Sequence, residues 1–161
     1  MKRLMIVRHA KSDWDDASLS DFDRPLNHRG KQAAPDMAGR LLSKTTIPQY
    51  LLSSPAVRAK TTANIFAKTL GLAEPKYNQA IYEASYPTLL QIVNALPDAY
   101  NFVAMFGHNP GMSDLLYNLT GQMYDMPTCT IAIIDFDIDE WKMVSSDMGS
   151  LSYYDYPKNS D

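Results

Sequence analysis

Two histidines follow long apolar runs of the chain, and their positions suggest a shared site. His9 comes one residue after the run 4–7, and His108 comes one residue after the run 102–106. Continuous apolar runs of this kind are typical of parallel strands that are buried on both faces. Open parallel sheets bind ligands beyond the carboxyl ends of their strands. If the two strands are neighbours, both imidazoles lie in one crevice.

Two arginines accompany these histidines. Arg8 directly precedes His9, and Arg58 follows the polar segment 53–55 in the first turn of an expected helix. At such a helix start, the backbone N–H groups and the helix dipole favour an anion. Guanidinium groups also bind phosphate oxygens strongly. The set of two arginines, two imidazoles and one helix N-terminus therefore predicts a site for a dianionic phosphoryl group.

Four motifs resemble those of the histidine phosphatase superfamily and occur in the order that is typical of that family. They are Arg8-His9-Ala10, RPLNHRG at 24–30, SSPAVRAKTT at 53–62 and GHNP at 107–110. The last motif is similar to that of the small SixA-type branch, the phosphohistidine phosphatases. The resemblance covers nearly the whole chain, from Arg3 to about Tyr154.

Two positions depart from the wider family pattern. Ala10 stands where many members have glycine, a change that the SixA-type branch tolerates. Lys11 stands where the mutase branch has glutamate, so mutase activity is not expected. Ser12 and Trp14 match the family's broader run after the first histidine.

The resemblance implies a role for each main residue. His9 would be the nucleophile, while Arg8 and Arg58 would hold the phosphoryl oxygens. The charge of both arginines would lower the pKa of His9 and keep its ring neutral. His108, as an imidazolium, would donate a hydrogen bond to the same oxygens.

The sequence indicates the general acid and the remaining substrate contacts less clearly than it indicates the nucleophile. Glu83 follows a weak third strand, so it could overhang the crevice as a general acid, or it could be a loop carboxylate in water. Asp13 is a weaker candidate for the same role. Ser12 and Asn109 are predicted to bind the substrate.

Composition excludes several other classes of protein. The chain has 161 residues, 20% of them charged, and a net charge of −3, which argues against a nucleic-acid partner. No apolar stretch approaches the roughly 20 residues of a membrane span. The apolar run near the start is too short for a signal peptide, so a cytoplasmic protein is expected. The histidines and the one cysteine show no metal-ligand spacing, and no cofactor is expected.

These observations predict a metal-independent phosphatase that acts through a phosphohistidine intermediate on His9. Its expected substrate is phosphohistidine in a protein, because the chain has no obvious long insertion to serve as a lid over a small molecule. Two alternatives stay open: a phosphomonoesterase for small metabolites, and a non-catalytic module that binds a phosphorylated partner.

The elements that must position these residues alternate between strands and helices. This order predicts a three-layer α/β/α fold with a mainly parallel sheet. Near the C-terminus, the runs 130–136 and 141–145 predict an antiparallel hairpin at the sheet edge. Pro35 lies inside a helix that Asn27 can cap, so a kink or two short helices are expected. A single domain is expected over 1–155, followed by a loose tail over 156–161.

Overall fold

The first strand is buried on both faces in the computed structural model, which describes residues 1–159. It belongs to a six-stranded sheet with the strand order β3-β2-β4-β1-β5-β6. The elements are β1 (Lys2–Arg8), α1 (His28–Ser43), β2 (Tyr50–Ser53), α2 (Val57–Leu70), β3 (Lys76–Tyr77), α3 (Tyr86–Asn94), β4 (Phe102–Gly107), α4 (Gly111–Thr120), β5 (Ile131–Phe136) and β6 (Ser150–Asp155).

Alternate residues of β1 enter two separate cores. Leu4 and Ile6 pack in the core that α3 and α4 cover, whereas Met5 and Val7 pack in the core that α1 and α2 cover. This alternation follows from the two-residue period of a strand. It confirms the predicted three-layer α/β/α arrangement.

The motif-bearing strands are direct neighbours in the sheet. Strand β4 lies between β1 and β2 and is parallel to both of them. Arg8 is in register with Gly107, so the residues that follow them, His9 and His108, leave the sheet side by side. The carboxyl ends of the three strands meet at one edge, as the sequence predicted.

The C-terminal hairpin is antiparallel, but its second strand lies later in the chain than expected. Strand β5 pairs with β6, and the predicted strand over 141–145 is wrong. Residues Trp141–Met143 instead form a 3-10 turn. Trp141 is fully buried, and its indole N–H donates to the carbonyl of Tyr100 at 2.9 Å. The aromatic residue therefore anchors a loop in the core instead of extending a strand.

Helix α1 begins where the sequence predicted, with the Asn27 side chain accepting a hydrogen bond from the Gly30 N–H. It continues as one helix through Pro35, so the expectation of two short helices is wrong. Proline removes one backbone donor, which leaves the carbonyl of Lys31 without its helical partner. Both residues are exposed, so water can solvate that carbonyl.

The segment after β6 is attached to α1. Arg40 pairs with Asp155 at 3.1 Å and donates to the carbonyls of Tyr156 and Pro157. Residues 160–161 of the expected loose tail lie outside the described residues. Over residues 1–159, no helix is both long and apolar enough to cross a membrane.

Gly30 brings α1 close to the loop that follows β1. A Cβ atom added there would lie 2.2 Å from the carbonyl oxygen of Lys11. That oxygen already accepts a hydrogen bond from the Asn27 N–H at 2.9 Å, so the loop cannot move away without losing this bond. The last residue of the RPLNHRG motif is therefore a packing requirement.

Gly30→Ala should lower the free energy of unfolding by about 1–3 kcal/mol, because backbone atoms must shift to admit the methyl group. Gly39→Ala in the same helix is the matched control, since its Cβ would meet nothing within 4 Å. That control should raise stability by roughly 0.5–1 kcal/mol through helix propensity. Urea denaturation measures both, and equal effects would contradict the close-approach argument.

Candidate active site

A cavity of about 260 Å³ opens at the carboxyl ends of β1 and β4. Four cationic side chains and two imidazoles make its lining strongly basic, and no carboxylate of residues 1–159 contributes to it. The lining residues are Arg8, His9, Lys11, Ser12, Trp14, Arg24, Arg58, His108, Asn109 and Thr128. Six of the residues predicted for the site therefore lie together, namely Arg8, His9, Ser12, Arg58, His108 and Asn109.

The His9 ring has one nitrogen fixed and the other left for chemistry. Its Nδ1 lies 2.7 Å from the carbonyl oxygen of Ala10. A carbonyl only accepts, so Nδ1 carries the proton and the neutral ring has its lone pair on Nε2. Burial lowers the pKa of His9 to about 3, and the nearby side chains of His108, Arg58 and Arg8 act in the same direction. The arginines therefore contribute as predicted, although burial is the larger cause.

His108 is held by a serine of the third motif. Its Nε2 lies 2.8 Å from Ser54 Oγ, which also accepts a hydrogen bond from the Ala56 N–H. If the Ser54 hydroxyl donates a hydrogen bond to His108 Nε2, the hydroxyl proton has an acceptor. The ring proton of the neutral imidazole then sits on Nδ1. The opposite tautomer would leave the hydroxyl proton without a partner among the described residues. The hydrogen bonds therefore favour His108 as a neutral ring that presents an Nδ1–H donor.

The imidazolium form of His108 was expected against a bound phosphoryl group and stays a prediction for that complex, but the free protein differs from it. Burial lowers the pKa of His108 to about 4, with Arg58 adding to the shift. At neutral pH both imidazoles are therefore uncharged. Sequence reasoning missed this because it weighed the charge of the expected ligand and not the burial of a side chain that is 8% exposed.

Three buried donors around the cavity have no partner within the protein. Over residues 1–159, four buried side-chain polar atoms lack a hydrogen bond, and three of them are Arg8 Nε, Arg58 Nε and His108 Nδ1. Such atoms are rare in folded proteins, and each costs about 1–3 kcal/mol. All three are N–H groups in residues that line one pocket. An oxyanion that reached them would satisfy them, and this contact is a prediction.

Asp21 is a site residue that the sequence analysis missed. Its carboxylate accepts from Arg58 at 3.0 Å, from Arg24 at 3.1 Å and from the Tyr82 hydroxyl at 2.6 Å. These hydrogen bonds, that of Tyr82 above all, hold the pKa of Asp21 well below its usual range. Asp21 therefore orients two of the arginines around the pocket. One available signal was its position three residues before Arg24.

The motifs also hold the loop that follows β1. Thr62 Oγ accepts from the Ala10 N–H at 3.0 Å and donates to the Arg58 carbonyl at 2.7 Å. This hydroxyl couples the backbone after His9 to the first turns of α2. Arg58 and Thr62 of the third motif are one helical turn apart. This spacing brings the Thr62 hydroxyl within reach of the Arg58 carbonyl.

Ser12 and Asn109 line the pocket, but their side chains are already bonded within the protein. Ser12 Oγ accepts from Arg24, and the Asn109 amide donates to the carbonyl of Met126 at 3.0 Å. Asn109 Oδ1 also accepts from the Ser113 N–H at 3.2 Å. Contact of either side chain with a substrate stays a prediction.

Neither candidate for a general acid lines the pocket. Glu83 is exposed, and the neighbouring residue Tyr82 packs its ring edge-on against His108, with the ring centroids 5.5 Å apart. Asp13 accepts from the backbone N–H of Asp15 at 2.7 Å. A role as a general acid therefore stays a prediction for both carboxylates. The described residues 1–159 also contain no group of three or more His, Cys, Asp or Glu side chains that could hold a metal ion.

Comparison with known families gives one match over most of the chain. The model of the histidine phosphatase superfamily (branch 1) matches residues 4–101. An uncharacterized chloroplastic protein of Arabidopsis thaliana is 32% identical over 152 residues, which cover 88% of this chain and 69% of that protein.

Solved structures with the same fold cover nearly all of the chain. A provisionally assigned phosphohistidine phosphatase SixA from Agrobacterium tumefaciens is 26% identical, with a TM-score of 0.81 and coverage of 97% of this chain and 98% of that chain. A complex of the protein histidine phosphatase SixA with tungstate is 22% identical, with a TM-score of 0.85 and 99% coverage of both chains. The second likeness shows the shared fold.

Proposed function

Since the chain belongs to the histidine phosphatase superfamily, we propose that it is a phosphatase in which His9 carries the phosphoryl group between substrate and water. One observation supports this most directly. The Nε2 lone pair of His9 lies beside three residues of the same pocket, each of which has a buried N–H group without a partner among residues 1–159. A nucleophile and a set of oxyanion donors are the two components that phosphoryl transfer needs.

In the first step, the His9 Nε2 lone pair attacks phosphorus, and the bond to the leaving group breaks on the opposite side. The three equatorial oxygens accept hydrogen bonds from the Nε–H groups of Arg8 and Arg58 and from His108 Nδ1–H. The His9 ring gains positive charge as the P–N bond forms. Its Nδ1–H bond to the Ala10 carbonyl stabilises that charge.

In the second step, water attacks the phosphorus of phospho-His9, and the P–N bond returns its electron pair to Nε2. The protons of the attacking water remain on the released phosphate. Donors that point to the transferred group from fixed positions stabilise both transition states without reorganisation. The neutral state of His9 at pH 7 follows from its pKa of about 3, so the nucleophile is regenerated without a separate deprotonation.

The pocket lining favours a substrate with a good leaving group. Among residues 1–159, no carboxylate lines the pocket, and both imidazoles are neutral at pH 7 in the free protein. An alkyl phosphate expels an alkoxide, which needs a proton in the transition state. Phosphohistidine expels an imidazole, which needs little assistance. We therefore propose phosphohistidine in a protein as the substrate, and the likeness to the SixA protein of Agrobacterium tumefaciens supports this choice.

Two further aspects of the activity follow from the same residues. The arginines and the unpaired donors can neutralise the phosphoryl charge, so we propose that the reaction requires no metal ion.

A module that only binds a phosphorylated partner would use these donors, but it would have no need for an unprotonated His9 Nε2 beside them. The arrangement therefore supports the enzyme over the binding module.

His9→Gln should abolish formation of a phosphoenzyme, because the substituted amide has no lone pair for attack on phosphorus. The parent, mixed with phosphoimidazole in excess EDTA and quenched at alkaline pH, should gain one phosphoryl group that maps to His9 by mass spectrometry. His28→Gln, at an exposed histidine, is the matched control and should behave as the parent. A phosphoenzyme that survives in His9→Gln, or one that forms only with added metal, would contradict the mechanism.

The leaving group should decide the rate. We expect kcat/KM for phosphoimidazole to exceed that for glycerol phosphate by about 10²-fold or more, the usual contribution of a general acid. If neither carboxylate is a general acid, Glu83→Gln and the parallel variant Asp13→Asn should each change both values less than about threefold. Steady-state kinetics with both substrates check this. A loss of about 10²-fold on glycerol phosphate alone in Glu83→Gln would identify Glu83 as the acid and support the small-metabolite alternative.

A further inference from the structure

A second and larger cleft lies beside the active-site pocket. Its volume is about 710 Å³, and Lys11 and Thr128 line both spaces. The cleft is bounded by the first turns of α1, the loop before β5 and the segment after β6. Its lining residues are Lys11, Arg29, Gln32, Ala33, Asp36, Pro127, Thr128, Tyr156, Pro157 and Lys158. A ligand that places a phosphoryl group at His9 can therefore extend into this cleft.

The cleft carries positive charge without compensation from the described residues. Lys11, Arg29 and Lys158 line it, and none of them forms an ion pair within residues 1–159. The single carboxylate of the lining, Asp36, is paired with Arg40 at 2.8 Å. The chain as a whole has a net charge of −3, so this concentration of cations is a local feature.

The backbone of α1 adds to the same field. Arg29 lies in the first turn of this helix, whose sixteen residues give it a full dipole. The Asn27 cap satisfies the Gly30 N–H, and no described residue accepts from the amides of His28 and Arg29. The positive end of the helix and the three side chains favour an anionic ligand, and carboxylates are the anions that an unmodified protein segment carries.

We propose that this cleft binds acidic side chains of the protein substrate, next to its phosphohistidine. The inference rests on the proposed function and names the substrate surface that the enzyme selects. Phosphoimidazole alone has no group that can enter the cleft. The walls also include Pro127, Tyr156 and Pro157, whose rings can pack against the backbone of a polypeptide. A protein segment with Asp or Glu beside the phosphohistidine fits both the size and the charge.

Phosphohistidine peptides of one length, with glutamate, serine or lysine on both sides of the phosphohistidine, test the inference. Arg29→Glu reverses a charge in the cleft. Lys31→Glu is the matched control, because Lys31 is exposed on the same helix, does not line the cleft and changes the net charge equally. Phosphoimidazole serves as the substrate that cannot reach the cleft.

For the parent, we expect KM for the glutamate peptide to be about fivefold lower than for the serine peptide, with similar kcat, as exposed charge pairs permit. Arg29→Glu should remove this preference, and Lys31→Glu should keep it. The preference should also weaken between 0.05 and 0.5 M salt, which shortens the screening length. Turnover of phosphoimidazole should be the same in all three proteins.

Equal KM values for the three peptides, or equal effects of Arg29→Glu and Lys31→Glu, would overturn the inference while leaving the proposed function intact. A parent that hydrolyses neither phosphoimidazole nor any of the peptides would overturn the proposed function itself. Loss of phosphoimidazole turnover in Arg29→Glu would place Arg29 in the catalytic pocket, and it too would overturn the inference.

Discussion

The structure depends on keeping N–H donors buried around one pocket without giving them partners. Arg8, Arg58 and His108 each leave a buried N–H unsatisfied. The burial that makes these groups costly also lowers the pKa of both imidazoles, so no ring adds a positive charge to the two arginines. A stable fold has to offset this cost elsewhere. The two cores on the faces of the sheet provide the stabilisation.

Much of the remaining chain holds these donors in place. Asp21 and the Tyr82 hydroxyl orient Arg58, Ser54 sets the tautomer of His108, and the Ala10 carbonyl sets that of His9. Each contact leaves one reactive atom or donor free while it fixes another atom of the same side chain. The four motifs can therefore be understood as one hydrogen-bonded frame, in which most of the polar side chains bind their neighbours within the protein.

The sequence predicted the parts of this arrangement that depend on local pattern. The strand ends before His9 and His108 were visible as apolar runs, and Asn27 marked a helix start. The pairing of Asp21 with Arg58 spans 37 residues, and five aspartates occur over 13–23, so the position of Asp21 three residues before Arg24 was only a weak signal. The position of β6 was missed for a related reason. A run such as 141–145, which begins with Trp141, can extend a strand or place its aromatic ring in a core, and only tertiary packing decides between them.

A crystal structure of the protein with orthovanadate at neutral pH tests the central claim most directly, because vanadate adopts the five-coordinate geometry of the transferred phosphoryl group. The account predicts vanadium bonded to His9 Nε2. It also predicts that equatorial oxygens accept hydrogen bonds from Arg8 Nε, Arg58 Nε and His108 Nδ1, the three donors that the protein leaves unpaired. Vanadate bound elsewhere, or bound in this pocket with those donors still unpaired, would contradict the account.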